Sequence, residues 1–211
     1  MAIELYAFPS PNNFKVAITL ELLGLEYNLH KVSLMTGEQR SEEYLKINPF
    51  GLVPAIKDGE TVIGDSTNIV QYLVSKYDKD GKVAKFTESS SDYWKYNQYL
   101  FTYAAGLSSV QDKVFLFGFV CKDQTDAIEI LKAQLKTQYA ALDKILSSNG
   151  TGYTFGDQLS IADLVTLPQV RSVEKFGIDL NEFPAVKAFK EKFENEAFVN
   201  AAYEKVQALG F

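Results

Sequence analysis

Cysteine and histidine are almost absent from this chain of 211 residues. Cys121 is the single cysteine, so there is neither an internal disulfide framework nor a cysteine cluster for a metal ion. His30 is the single histidine, which excludes multi-histidine metal sites and disfavours a Ser-His-Asp nucleophile. Near the end of a predicted helix, Cys121 is expected to be a small buried hydrophobe. These scarcities predict chemistry without a metal ion.

Long apolar runs and an excess of positive charge are missing as well. No run approaches the roughly 20 residues that span a bilayer, and no basic segment followed by an apolar one opens the sequence. The formal net charge of −6 argues against nucleic acid or an anionic membrane as the main partner. Hydrophobic residues make up 46% and charged residues 23%, which is typical of a globular protein with one large or two small domains. The expected location is the reducing cytoplasm.

One segment combines a strand edge with the start of a helix. Residues 48–56, Asn-Pro-Phe-Gly-Leu-Val-Pro-Ala-Ile, predict a loop that enters a short strand. Pro54 belongs at the edge of such a strand, at its start, or in a cis turn beside a ligand. About ten residues later, Asp65 and Ser66 begin an apolar-periodic helix whose first backbone N–H groups can hold an anion. Together the two elements can grip a small peptide that carries carboxylates.

The N-terminal part alternates between strand and helix patterns. Gly24 is placed to end the first helix, and the turn at residues 57–60 predicts a β-hairpin. Strands are expected at residues 3–8, 27–34, 53–56 and 61–63, and helices at residues 12–23, 41–47 and 65–77. The order β-α-β-α-β-β-α is typical of the thioredoxin-like plan, in which a parallel pair is followed by an antiparallel hairpin.

The C-terminal part carries helical patterns alone. Residues 81–91 form a predicted linker, which separates an α/β domain at residues 1–80 from an all-helical domain at residues 92–211. Apolar residues at three- and four-residue spacing predict one long helix over residues 93–114 and another over residues 128–142. Two such helices with a polar break between them describe an antiparallel pair.

A helix-capping arrangement follows in residues 159–164. Ser160 is placed as the cap, Asp163 as the third helical residue, and Leu159 can pack onto Leu164. We expect a structural role for Asp163 rather than a chemical one.

Taken together, these features resemble the cytosolic glutathione transferases along nearly the whole chain. In that family a thioredoxin-like N-terminal domain binds glutathione, and an all-α C-terminal domain holds a hydrophobic co-substrate. The resemblance implies that Pro54 is cis and that Val53, before it, pairs its backbone with the cysteinyl part of glutathione. It also implies that Asp65 and Ser66 take the γ-glutamyl end. The capping motif looks like the one that opens a buried helix of the family's second domain.

The resemblance further implies a donor that stabilises the glutathione thiolate, in the loop over residues 8–15. Ser10 lies where phi- and tau-like members carry their catalytic serine. Residues 10–18 also look like the fungal nitrogen-regulator group, in which an asparagine that matches Asn12 faces the sulfur. Ser10 is preferred, and Asn12 stays open as the alternative. Tyr6 is interpreted as a packing residue, because the catalytic tyrosine of other classes falls on Ala7, whose side chain points to the opposite face of a strand.

Three more residues take roles from the resemblance. Gln39 and Arg40 stand where relatives hold the glycyl carboxylate, although Arg40 is equally compatible with a solvated surface charge. Phe50 stands where several classes present an aromatic key to the neighbouring subunit, so a homodimer is expected. The aromatic residues near the co-substrate site, mostly expected in the core, are Tyr103, Phe115, Phe117 and Phe119.

The sequence therefore predicts a glutathione transferase of phi-like or fungal nitrogen-regulator-like character. It would conjugate the glutathione thiolate to hydrophobic electrophiles, with glutathione-dependent peroxide reduction as a side activity. Glutathione is the co-substrate, and no separate cofactor is implied. Two alternatives use the same fold without catalysis: a ligand-binding protein for apolar compounds, and a regulatory interaction protein.

Overall fold

The computed structural model describes residues 2–121 and 123–210. Four strands, β1 to β4, occupy Ile3–Ala7, Tyr27–Lys31, Ala55–Asp58 and Thr61–Gly64. The α-helices α1 to α9 occupy Pro11–Leu23, Glu42–Leu45, Ser66–Tyr77, Tyr93–Tyr103, Ser109–Phe115, Thr125–Asn149, Ile161–Ser172, Pro184–Phe193 and Ala197–Gln207. No helix in the described ranges combines the length and the apolar character needed to cross a membrane.

The strands form one mixed sheet in the order β2-β1-β3-β4. Strand β1 runs parallel to β2 and antiparallel to β3, and β3 and β4 form the antiparallel hairpin. Side chains along β1 alternate between buried and half-buried positions, as expected for a strand with two different faces. This arrangement and the helical second part confirm the predicted fold class, an α/β thioredoxin-like domain followed by an all-α one.

Helix α1 lies in the core of the N-terminal unit. Pro11 occupies its first turn, where the missing N–H is harmless. Gly24 ends it in the left-handed conformation at φ 67°, as the sequence predicts. All side chains from Asn13 to Leu20 are buried, which means that polar residues in this stretch must find partners inside the protein.

The chain divides into two compact units, and the last helix belongs to the first of them. The first unit runs to Val83 and includes the chain from Asn195 onward, and the second covers Ala84–Glu194. In the first unit Phe14 of α1 stacks on Tyr203 of α9 with the ring centroids 3.9 Å apart. The boundary between the units falls in the predicted linker. Helix α9 belongs to the first unit rather than to the second, in which the sequence placed it. The predicted domain bounds themselves stay a prediction.

An acceptor on the hairpin ties it to helix α3. Asp58 Oδ2 accepts hydrogen bonds of 2.7 Å from Tyr72, Lys76 and Tyr77, all on α3. Partial burial raises the pKa of the Asp58 carboxyl, but these hydrogen bonds outweigh it and hold the pKa below its ordinary value. The ionised carboxylate thereby fixes where α3 begins relative to the sheet.

The first long helix of the second unit is interrupted. The predicted span over residues 93–114 consists of α4, a π-helical segment at Ala104–Ser108, and α5, and a second π-helical segment follows at Leu116–Val120. A Cβ on Gly106 would lie 2.9 Å from Gln138 Oε1 of α6, so glycine leaves room for the Gln138 side chain. Cys121 follows the second π segment and is exposed, which corrects the expectation of a buried cysteine.

The predicted cap of α7 is present in the structure. Asp163 Oδ2 accepts hydrogen bonds of 2.7 Å from both the backbone N–H and the hydroxyl of Ser160. Its other oxygen accepts from the backbone N–H of Thr154, at 2.7 Å, and from the Thr154 hydroxyl. Burial raises the pKa of the Asp163 carboxyl, and the four hydrogen bonds oppose that shift only in part. All these partners belong to the fold, which supports the structural role expected for Asp163.

Candidate functional site

Strand register brings three of the predicted segments to one end of the sheet. Tyr6 of β1 pairs with Ala55 of β3, and Ala55 pairs in turn with Gly64 of β4. Continuing these ladders by one and two residues places Pro54 opposite Asp65 and Val53 opposite Phe8. The loop after β1, the start of β3 and the start of α3 therefore meet at the same end of the sheet.

The loop between β1 and α1 is held by a buried asparagine. Asn13 Oδ1 accepts a hydrogen bond of 3.1 Å from the backbone N–H of Phe8, and its Nδ2 donates to Ser10 Oγ at 2.7 Å. Since the Ser10 oxygen accepts from Asn13, its own hydroxyl hydrogen is directed to another acceptor. The sequence analysis did not single out Asn13. Its only signal in the sequence is that it is a polar residue in a helical stretch with many apolar positions.

Asn12 points its oxygen at a lysine. Lys15 Nζ donates to Asn12 Oδ1 at 2.7 Å and to Ser66 Oγ at 3.3 Å. Lys15 is only 1% exposed although it carries a charged group. An ammonium has only donors, so the Asn12 oxygen faces Lys15 and the Asn12 NH₂ group faces the other way. The structure thus brings Asn12 and Ser66 together through Lys15, which was not among the site residues predicted from the sequence.

Asp65 and Ser66 open α3 with an unusual backbone. Asp65 is the N-cap, and its Oδ1 accepts a hydrogen bond of 2.9 Å from the backbone N–H of Asn68. At φ 65° it is the one non-glycine residue with positive φ in the described part of the chain. A conformation of this kind costs about 1–3 kcal/mol and is concentrated at ligand sites. Ser66, the first residue of the 12-residue helix, is largely buried.

The Val53-Pro54 peptide bond is cis, as the resemblance implies. Hydrogen bonds from Asn48 and Tyr44 stabilise the loop before it, residues 48–52. Asn48 Nδ2 and the Tyr44 hydroxyl both donate to the carbonyl of Leu52, each at 2.7 Å. Burial raises the pKa of the Tyr44 hydroxyl, which therefore stays protonated and able to donate. Phe50, by contrast, is 78% exposed.

Gln39 and Arg40 lie against the same loop. Gly51 has φ 61°, and a Cβ there would lie 2.8 Å from the backbone oxygen of Gln39 and 3.2 Å from Arg40 Cδ. Gln39 Oε1 is buried and has no hydrogen-bond partner among the described residues. Arg40 itself is exposed. Gln39 and Arg40 are thereby held next to Gly51, which precedes Val53 by two residues in the chain.

The side chains of Tyr6 and Ala7 lie on opposite faces of the sheet, and Tyr6 packs against other aromatic rings. Its ring stacks on His30 with the centroids 4.9 Å apart and meets Tyr44 edge-on at 6.3 Å. Ala7 is fully buried on the opposite face. These contacts support the interpretation of Tyr6 as a packing residue.

The co-substrate aromatics of the second unit are less buried than expected. Tyr103 lies in the core, whereas Phe115 and Phe119 are exposed. The two exposed rings stack on each other at 5.1 Å, and both meet Phe176 edge-on. The expectation of a mostly buried set is correct for Tyr103 and wrong for Phe115 and Phe119.

Comparison with known proteins identifies the family. Sequence models of the glutathione S-transferase N-terminal and C-terminal domains match residues 5–81 and 112–205. The zeta-class glutathione S-transferase of Euphorbia esula is 31% identical over 96% of this chain and 91% of its own length. The chain belongs to the glutathione S-transferase family. The prediction of a glutathione S-transferase enzyme is confirmed with it.

Two solved structures show how far the likeness extends. A glutathione transferase homolog from Lodderomyces elongisporus, with two glutathione molecules per subunit, has a TM-score of 0.91 and 28% identity. That comparison covers 97% of this chain and 99% of the other. The nitrogen regulation fragment of the yeast prion protein Ure2p has a TM-score of 0.86 and 27% identity, over 96% of each chain.

The site contains no evident metal centre. In residues 2–121 and 123–210, no group of three or more histidine, cysteine, aspartate or glutamate side chains is placed to hold a metal ion. The polar groups described above include hydroxyls, amides, the buried ammonium of Lys15, the guanidinium of Arg40 and the capping carboxylate of Asp65. Such a set can bind a zwitterionic peptide and donate hydrogen bonds to an anion.

The hydrogen bonds of Asn13 predict a loss of stability on its removal. Asn13→Ala leaves the buried N–H of Phe8 without its acceptor, which costs about 1–3 kcal/mol. We expect the free energy of unfolding, measured in urea, to fall by that amount. Asn28→Ala is the matched control, since Asn28 is exposed and its amide donates to Glu4 on the surface. An Asn13→Ala protein as stable as the control would contradict this role.

Proposed function

We propose that this enzyme binds glutathione at the end of the sheet where β1 and β4 finish and β3 begins, and that it conjugates the glutathione thiolate to hydrophobic electrophiles. The observation that supports the proposal is the strand register, since it brings the end of β1, the start of β3 and the end of β4 together. Ser10 and Asn12 follow β1 in the chain, Val53 precedes β3, and Asp65 follows β4. An extended tripeptide spans roughly 10 Å, so one ligand can contact all three segments.

Each part of glutathione finds complementary chemistry at this edge. The γ-glutamyl end carries an ammonium and a carboxylate. Asp65 offers a carboxylate for the first, and the α3 N-terminus with the Ser66 hydroxyl offers donors for the second. The backbone of Val53, at the start of β3, can pair with the cysteinyl residue as an added strand does.

The sulfur then lies at the loop that opens α1. A thiolate there receives a hydrogen bond from the Ser10 hydroxyl or from the Asn12 NH₂ group, and the positive end of the α1 dipole supports it. Both side chains already have their oxygens engaged by protein donors, Asn13 for Ser10 and Lys15 for Asn12. Both are therefore oriented to donate, which lowers the pKa of the bound thiol and raises the thiolate fraction near neutral pH.

The reaction needs only this activated sulfur. The thiol proton passes to solvent, the sulfur forms a bond to the electrophilic carbon, and the leaving group departs with its electron pair. With a hydroperoxide instead, two glutathione molecules are oxidised to the disulfide while the peroxide is reduced to an alcohol and water. Besides the electrophile or the hydroperoxide, the proposal requires glutathione and no separate cofactor.

Gln39 and Arg40 are proposed to hold the glycyl carboxylate. Arg40 offers a cationic fork, and Gln39 offers the NH₂ group opposite its buried oxygen. Their packing against Gly51 keeps them beside the start of β3, where the glycyl end would emerge.

A regulatory protein on the same fold is the second candidate. It is favoured by the likeness to the nitrogen regulation fragment of Ure2p and by the match between residues 10–18 and that group. The phi-like assignment rests on Ser10, and the nitrogen-regulator-like one on Asn12. A non-catalytic ligand-binding protein would bind apolar compounds but show no glutathione turnover. We also propose a cytoplasmic setting, consistent with the single unpaired cysteine.

Glutathione binding can be tested at the start of α3. Ser66→Ala removes a donor to the ligand carboxylate, and Asp65→Asn removes the charge that faces the ammonium while keeping an oxygen for the cap. Each is expected to weaken binding by about 1–3 kcal/mol, or roughly 5- to 150-fold in Kd. Calorimetry gives the Kd, with the exposed linker variant Ser89→Ala as control. A wild-type melting temperature indifferent to millimolar glutathione would refute the proposal.

Phe50 predicts the state of assembly. An aromatic side chain that is 78% exposed is expected to insert into a second copy of the chain and form a two-fold dimer. Light scattering at micromolar concentration should give twice the 23.6 kDa chain mass, and Phe50→Ala should shift the protein toward the monomer. A stable monomer of the wild-type protein would overturn this assignment.

The thiolate donor is tested by a set of three variants. If Ser10 is the donor, Ser10→Ala should slow conjugation near pH 7 by about 100-fold and move its pH profile toward alkaline values, with affinity largely retained. If Asn12 is the donor, Asn12→Ala should show that loss instead. Tyr6→Phe is the control, because it removes a hydroxyl and keeps the stacking on His30. A large loss in Tyr6→Phe with none in the other two would contradict the alignment of the first strand.

A further inference from the structure

The most unusual group at the sheet edge is the ammonium of Lys15. It lies in the second turn of α1, inside the stretch of buried side chains, with 1% of its surface exposed. A buried charge is costly unless several acceptors surround it. A merely apolar requirement at this position would be met by methionine or leucine, which carry no such cost.

The acceptors of Lys15 belong to opposite parts of the proposed glutathione site. Asn12 Oδ1, at 2.7 Å, lies on the loop side where the sulfur would bind. Ser66 Oγ, at 3.3 Å, opens α3, where the γ-glutamyl carboxylate would bind. The two acceptors are 54 residues apart in sequence, and Lys15 Nζ contacts both of them.

We propose that Lys15 is a positioning residue that couples the sulfur end and the γ-glutamyl end of the site. Because an ammonium only donates, both partners must present their oxygens to it. Asn12 then presents its NH₂ group, and Ser66 its hydroxyl hydrogen, to acceptors on the ligand. The nearby positive charge also favours the anionic forms of both ends of glutathione. This inference rests on the glutathione site proposed above.

Lys15→Met tests the inference, since methionine fills the volume without donating. We expect KM for glutathione to rise about tenfold or more, because Ser66 is no longer oriented. We also expect the pH profile of kcat to move toward alkaline pH by about 1 unit, because Asn12 and the charge no longer support the thiolate. Lys15→Arg keeps the charge and should restore part of both quantities. A lysine that only ties α1 to α3 would change the melting temperature and leave the pH profile in place.

Double variants identify the route of each effect. In an Asn12→Ala background, Lys15→Met should shift the pH profile less than it does in the wild type. In a Ser66→Ala background, it should raise KM less. Lys57→Met is the matched control, since Lys57 is an exposed lysine on β3 of the same unit and should leave both quantities unchanged. A folded Lys15→Met enzyme with wild-type KM and pH profile would overturn the proposal.

A measurement on the wild-type protein covers the case in which Lys15→Met does not fold. The ζ-ammonium resonance of Lys15, followed by ¹⁵N NMR, should change on addition of glutathione while that of Lys57 stays constant. An unchanged Lys15 resonance, in protein whose melting temperature rises with glutathione, would reject the role of Lys15 and leave the glutathione site standing. No glutathione effect on either observable would instead reject the site itself.

Discussion

The pairing of β3 with both β1 and β4 determines where every proposed binding group lies. β3 is only four residues long, yet its ladders bring the end of β1, the cis peptide and the start of α3 to one end of the sheet. Asp58 at the far end of β3 accepts three hydrogen bonds from α3, so that helix cannot slide along the hairpin without breaking them. The position of Ser66 thus depends on sheet register and on a carboxylate at the opposite end of the strand.

Buried polar side chains of α1 orient the other residues of the proposed site. Asn13 joins Phe8 to Ser10, and Lys15 joins Asn12 to Ser66. Each of these side chains engages the oxygen of a residue proposed to donate to glutathione. An acceptor that is already satisfied leaves a side chain with its donor to offer, which is what a thiolate or carboxylate requires. The helix therefore contributes both its dipole and the orientation of two candidate donors.

Sequence signals recovered the features that depend on neighbouring residues. Gly24 predicts the end of α1 because a left-handed residue needs glycine, and Ser160 with Asp163 predicts the start of α7 because a cap is a local pattern. The Val53-Pro54 and Asp65-Ser66 pair predicted the family because its spacing is specific. These signals sufficed for the fold class, the enzyme class and the position of most strands.

Features that depend on distant contacts were not recoverable in the same way. Lys15 donates a hydrogen bond to Ser66, and Tyr203 of α9 stacks on Phe14 in the first unit. Neither contact produces a periodic pattern in the sequence. The close contact between Gln138 and Gly106, which lies in the π-helical segment between α4 and α5, is likewise one between residues distant in sequence. The exposure of Cys121, just after the second π segment, was not predicted either.

The central claim is that one peptide bridges the three segments at the edge of the sheet, and a crystal structure with glutathione bound tests it most directly. The account predicts the sulfur at roughly 3.0–3.5 Å from Ser10 Oγ or Asn12 Nδ2, and the cysteinyl backbone paired with Val53. It also predicts the γ-glutamyl carboxylate at the N-terminus of α3. Glutathione bound elsewhere on the chain, or its sulfur directed away from the loop that opens α1, would contradict the account.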